Sequence, residues 1–255
     1  MTSPVPQHAP PPRAIQRRRL SDEVAETLRD MILVGELMPD RGITLDELAI
    51  ELGVSTTPVR EALLRLATEG FVRLSPNRAF GVIRSTPEDI RDVYWMHAVL
   101  SGELTRRACL QADEELLAVV RQHGEDYARA VRAGDLAVME RANWDFHRAI
   151  NLAANAPRIH LTLGTTLRFI PRGFYGLLPT WGAAAVHGHE QILEALEQGA
   201  AVAAAAAAAA HVREAGETVT QFFTDKGYWT RPTAPPDTGA AAPTTSPKDQ
   251  PAGEA

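Results

Sequence analysis

Two groups of residues have side chains whose types and spacing suit chemistry. In the first, Asn143 and His147 are four apart and share one helix face, with His189 and His211 on later segments. Three imidazoles and one amide oxygen converging inside a helical bundle would form a donor set for a divalent ion: zinc, or alternatively nickel or manganese. Taken singly, each histidine reads as a surface or hydrogen-bonded residue, so the site depends on their meeting. The second group lies in GVSTTPVREALLRL, residues 53–66, where Ser55, Thr56, Thr57 and Arg60 precede an apolar stripe. Hydroxyls and N–H groups at such a helix start can hold phosphate, and an arginine one turn in offers a planar fork of donors to a guanine edge or a phosphate. Arg65 lies further along, and Asn77 and Arg78 fall at the tip of a following hairpin. The alternative for this stretch is a helical hairpin with an ordinary capped start.

The elements needed to position these groups follow from periodicity. Val24, Leu28, Met31 and Ile32 recur at helical spacing after Ser21, a candidate N-cap, and Gly35 and Pro39 end the pattern. A second helix runs from about Thr44 to Gly53. A third starts at Ser55 or Thr56, has Pro58 in its first turn and buries Ala62, Leu63, Leu66 and Ala67. FVRL and FGVIR, separated by Ser75, Pro76 and Asn77, read as a small hairpin. Three helices and a hairpin predict a winged helix-turn-helix. From Pro87 onward the pattern is helical over 87–110, 113–133, 135–154, 157–176, 182–198 and 200–226, which predicts an all-α antiparallel bundle. The alanine tract in the last segment favours helix but offers little side-chain volume for a core. The fold class expected is therefore mainly α, with a leader over 1–14, a winged module over 15–85, a bundle over 86–230 and a tail over 231–255. The proline-rich ends lack apolar periodicity and read as disordered, and Arg17, Arg18 and Arg19 read as a basic arm or a solubilising run.

Composition narrows the function classes. The net charge of -6 is unevenly shared, because residues 1–84 hold eleven Arg against eleven Asp and Glu. Within Ser55–Arg78 four Arg face two Glu, a local basic window of the kind phosphate contact requires. The single cysteine, Cys109, excludes an intrachain disulfide. The start lacks the apolar core of a signal peptide, and the Ala200–Ala210 run is too short and too weakly hydrophobic to span a bilayer, so a cytoplasmic protein without a membrane partner is expected.

Residues 20–84 closely resemble the DNA-binding domain of the GntR family of bacterial transcription regulators, through VAETLRDMILVGELMP, LAIELGVSTTPVREALLRLATEGFV and PNRAFGV. The chain departs from the family pattern at Asp40, Leu45, Thr56 and Ala79; Thr56 stands where many members carry Arg, which removes one expected base or phosphate contact. Residues 87–225 resemble the FCD ligand-binding domain of the FadR subfamily through NWDFH, HEQILEA and AAAHV. Position by position, that resemblance makes Asn143, His147, His189 and His211 the metal ligands, with Asn143 in place of a more usual Asp. It also implies a small organic acid beside the metal, leaning on arginines such as Arg148 and Arg168. His97 and Ser101 stand where the family usually shows Arg and Glu on the first bundle helix.

The function these readings imply is a homodimeric repressor that binds a pseudo-palindromic double-stranded operator and responds to an organic acid near a divalent metal. Two alternatives remain open: a metal-dependent enzyme with a DNA-binding-like appendage, and a constitutive DNA-binding protein without an effector.

Overall fold

The computed structural model describes residues 20–39, 42–75, 79–170, 178 and 181–229. The leader, the arginine run, Asn77, Arg78, Arg172 and the tail lie outside the described residues.

Helix α1, Leu20–Leu33, buries Val24, Ala25, Leu28 and Ile32, the stripe that a 3.6-residue period requires. It begins one residue before Ser21, so Ser21 lies in the first turn and is not its N-cap. Helix α2, Leu45–Leu52, follows Thr44 and stops at Gly53, whose left-handed backbone returns its N–H to the carbonyls of Ala49 and Ile50. Helix α3, Thr56–Thr68, buries Val59, Ala62, Leu63 and Leu66. Its N-cap residue is Ser55, but the Ser55 hydroxyl makes no capping hydrogen bond. Strands β1, Val72–Leu74, and β2, Phe80–Val82, pair antiparallel with Val72 opposite Val82. Ile43 adds a single bridge to Phe80, pinning the hairpin against the start of α2. All these elements close over one core around Leu28, Leu63, Leu66 and Phe71.

The bundle comprises α4 (Pro87–Leu110), α5 (Glu114–Ala133), α6 (Leu136–Ala153), α7 (Pro157–Thr166), α8 (Trp181–Glu197) and α9 (Ala201–Asp225). The starts of α4, α5 and α6 are capped by side chains. Thr86 and Asp89 form a reciprocal capping box, and Asp113 and Asp135 each accept from a backbone N–H three residues on. The segment expected over 157–176 ends its α-helix at Thr166 and tightens into a 3₁₀ turn over Leu167–Phe169. The alanine tract does pack closely. Ala204, Ala208 and Ala209 are buried, and α4 comes so near that a Cβ on Gly102 would sit 3.0 Å from the Ala205 carbonyl oxygen. Small residues on both helices make that approach possible, so low side-chain volume serves the core here. No described helix is long and apolar enough to cross a membrane.

Candidate metal centre and nucleic-acid interface

His147 of α6, His189 of α8 and His211 of α9 converge inside the bundle, each offering one ring nitrogen, all within 4.8 Å of one another. Nε2 of His147 and Nε2 of His189 are 3.3 Å apart. Two donors about 2.0–2.1 Å from a common ion, at the tetrahedral angle, would be about 3.3 Å from each other. Helical spacing brings them here: His189 and Ile192 share the buried face of α8, and His211 continues the stripe of Ala204 and Ala208. Aromatic walls fix the rings. Phe146 stacks on His189 at 4.1 Å between centroids, Tyr127 meets the same ring edge-on at 4.8 Å, and Trp181 tilts over His211 at 5.7 Å. Gly188 leaves space for His211, since a Cβ there would collide with its Nδ1 and lie 3.0 Å from its Cγ.

The electrostatics suit a metal. Burial pushes His147 and His189 well below the usual imidazole range, and the neighbouring imidazoles lower both further. Burial also takes His211 down to about 4. Neutral imidazole is the metal-binding form. Asn143, one turn before His147, keeps its Oδ1 buried without a hydrogen-bond partner, and so do His189 Nδ1, His211 Nδ1, His97 Nδ1 and the Tyr127 hydroxyl. Unpaired polar atoms are costly in an apolar interior, so this group fits a site that a bound ion and its ligand would complete.

On the other module Ser55, Thr56, Thr57 and Arg60 are all exposed at the start of α3. Arg65 is placed differently. Its Nη1 donates to Asp22 at 2.5 Å and its Nε to Glu69 at 3.0 Å, so its half-exposed guanidinium is held by two carboxylates of the module.

Family models and known proteins agree with both halves. Residues 20–82 match the model described as bacterial regulatory proteins, gntR family, and residues 92–214 match the FCD domain. An uncharacterized HTH-type transcriptional regulator of Streptomyces ambofaciens is 31% identical over 192 residues, covering 73% of this chain and 79% of that protein. The chain belongs to the GntR family. The Nta operon transcriptional regulator of Aminobacter aminovorans is 34% identical over 120 residues, 46% of this chain and 56% of that one. Three further curated relatives are matched over 62% to 63% of their length, so the chain spans under two thirds of these proteins. The Escherichia coli McbR/YncC structure shares the fold, with a TM-score of 0.63 at 22% identity over 81% of this chain and all of that one.

Within this GntR chain, the structure brings together His147, His189 and His211, with Asn143 one turn away on the same helix. Of the two arginines expected at the effector, Arg148 is exposed on α6 next to His147, and Arg168 donates to Glu69 of the winged module at 2.9 Å. Arg65, expected at the DNA, is ion-paired with Asp22 and Glu69 while its side chain stays 39% exposed. Sequence reasoning missed Tyr127 and Trp181. Their only signal was membership of the apolar stripes of α5 and α8, which does not distinguish a core aromatic from one packed on a site.

Proposed function

We propose that this GntR-family chain is a ligand-responsive, DNA-binding transcription regulator of the FadR subfamily, acting as a repressor. In this reading it works in the cytoplasm as a homodimer on a pseudo-palindromic operator, dividing near residue 85 into a reading module and an effector module. The observation that carries the sensing half is the convergence of three imidazoles, His189 and His211 buried and His147 half-buried, beside polar atoms left without partners. His147, His189 and His211 would hold a divalent ion, zinc, nickel or manganese, with Asn143 as an oxygen donor. When bound, the ion would supply a positive centre for a small organic acid. This chain's own residues hold the imidazoles in place and exclude water: Phe146, Tyr127 and Trp181 wall the rings, and Gly188 admits His211.

Ser55, Thr56, Thr57 and Arg60 are the groups we assign to DNA, with Asn77 and Arg78 of the wing. Two copies on an inverted repeat multiply the few contacts that one module makes.

The test is calorimetric titration of metal-stripped full-length protein with Zn²⁺. One ion per chain is expected, together with its loss when His147, His189 and His211 are replaced by Ala. Unchanged metal content and DNA binding in that triple variant would contradict the sensing half.

A further inference from the structure

The winged module and the bundle meet along two seams. At the first, Arg168 Nη1 of the 3₁₀ turn donates to Glu69 Oε1 at 2.9 Å, and Phe169 stacks on Phe71 with centroids 4.7 Å apart and planes 25° from parallel. Glu69 immediately follows α3 and also accepts from Arg29 of α1 at 2.6 Å and Arg65 of α3 at 3.0 Å. One carboxylate thus ties the bundle to two helices of the reading module. At the second seam Arg84, just beyond β2, donates to the Tyr228 carbonyl at 3.1 Å, and the Tyr228 ring lies against Gly35.

Phe169 also lines an apolar groove of about 330 Å³, open to solvent, between α4 and α7, with Trp95, Met96, Val99 and Leu100. It can therefore exchange the face of Phe71 for another apolar surrounding. Arg168 is 44% exposed, so its guanidinium returns to water at little cost, while Glu69 keeps Arg29 and Arg65. Phe169 is a partly buried residue on the margin of the winged module's core, next to buried Phe71, so the contact between the modules adds to that core from outside.

We propose that the 3₁₀ turn Leu167–Phe169 is a latch between the two modules. Closed, Arg168 holds Glu69 and Phe169 holds Phe71, which fixes the orientation of α3 on the bundle. Open, Phe169 occupies the groove between α4 and α7, and the reading module pivots about the Arg84–Tyr228 seam. The latch goes beyond the metal-site reading and does not depend on it. If the regulator reading also holds, the latch is the route by which the bundle sets the angle of the reading helix.

The experiment is a pulsed electron resonance distance measurement on the full chain. Spin labels are placed at Ile50→Cys on α2 and Val202→Cys on α9, both more than four-fifths exposed, in a Cys109→Ala background. Labelled chain is diluted into unlabelled chain so that only distances within one chain are read. A single narrow distribution is expected for the parent. Arg168→Gln and Phe169→Ala should each broaden it or add a second distance, and Arg168→Lys should keep most of the narrow population. Arg168→Gln changes a half-exposed side chain and leaves both cores intact, so misfolding does not obscure the result. A parent distribution that is already broad, or equally narrow distributions in both variants, overturns the latch. The measurement uses neither DNA nor metal, so its outcome is separate from that of the regulator reading.

Discussion

The two modules treat buried polar groups in opposite ways. In the winged module Arg29 is buried and gives both its Nε and its Nη2 to Glu69. Burial pushes the Glu69 carboxyl up, but hydrogen bonds from Arg29 and Arg65 and the nearby charge of Arg168 bring it below the usual carboxylate range. Around the histidine cluster of the bundle the buried groups are neutral and unspent: His97, His189 and His211 each keep one ring nitrogen without a partner, and Asn143 and Tyr127 keep an oxygen. A closed network is what a scaffold needs, because it fixes the geometry from which α3 projects. An open set costs about 1–3 kcal/mol per unsatisfied group and is the arrangement expected of a site that a ligand completes.

The comparison can be broken at its strongest point by removing Glu69. Glu69→Ala strands Arg29 in the core and should cost about 3–5 kcal/mol, read from urea unfolding. A loss below about 1 kcal/mol would mean that the network is not structural. In the bundle, His189→Ala should weaken Zn²⁺ binding by more than about 100-fold while leaving the fold intact, since even partners outside the coordination shell are worth about 10 to 100-fold. Gly188→Ala should act on the same site indirectly, displacing His211 and lowering metal affinity by about 10 to 100-fold in competition with a chelator. Unaltered affinity would place His211 outside the site.

Acid should separate the modules again. His97 and His211 stand at about 4 in the folded chain against 6.5 when free. Their contribution is therefore intact above pH 6.5 and falls away as pH drops toward 4, by about 1.4 kcal/mol per pH unit for each histidine. Thermal unfolding of metal-free protein across that window should show the slope, and His97→Gln should flatten it. The smallest effect expected is a contrast on α3. Arg60, exposed and without an ion-pair partner among the described residues, should cost about 1–3 kcal/mol in operator affinity on change to Ala. Arg65→Ala should cost less there and more in stability, because its guanidinium already serves Asp22 and Glu69. Equal losses of affinity would return Arg65 to the DNA-facing set.

Much of the fold was legible because the signals are local. Thr86 before Pro87, Asp113, Asp135 and the glycines at 53 and 134 mark helix limits within a residue or two, and the apolar stripes identify the buried faces. The histidine set was legible through its family pattern, whereas spacing alone joins only Asn143 to His147. What escaped was tertiary: the Ile43–Phe80 bridge, the close approach of Gly102 to the alanine helix, and the capture of Arg65 by Asp22 and of Arg168 by Glu69. Nothing in the local sequence distinguishes an arginine awaiting phosphate from one awaiting a carboxylate 43 or 99 residues away.

The central claim is that this chain reads DNA, and the direct test is a selection of bound fragments from random or genomic DNA by the purified full-length protein at near-physiological salt. Enrichment of a short inverted repeat, lost on Arg60→Ala, is the result expected of a dimeric GntR-family regulator. Recovery of no preferred sequence would contradict the account.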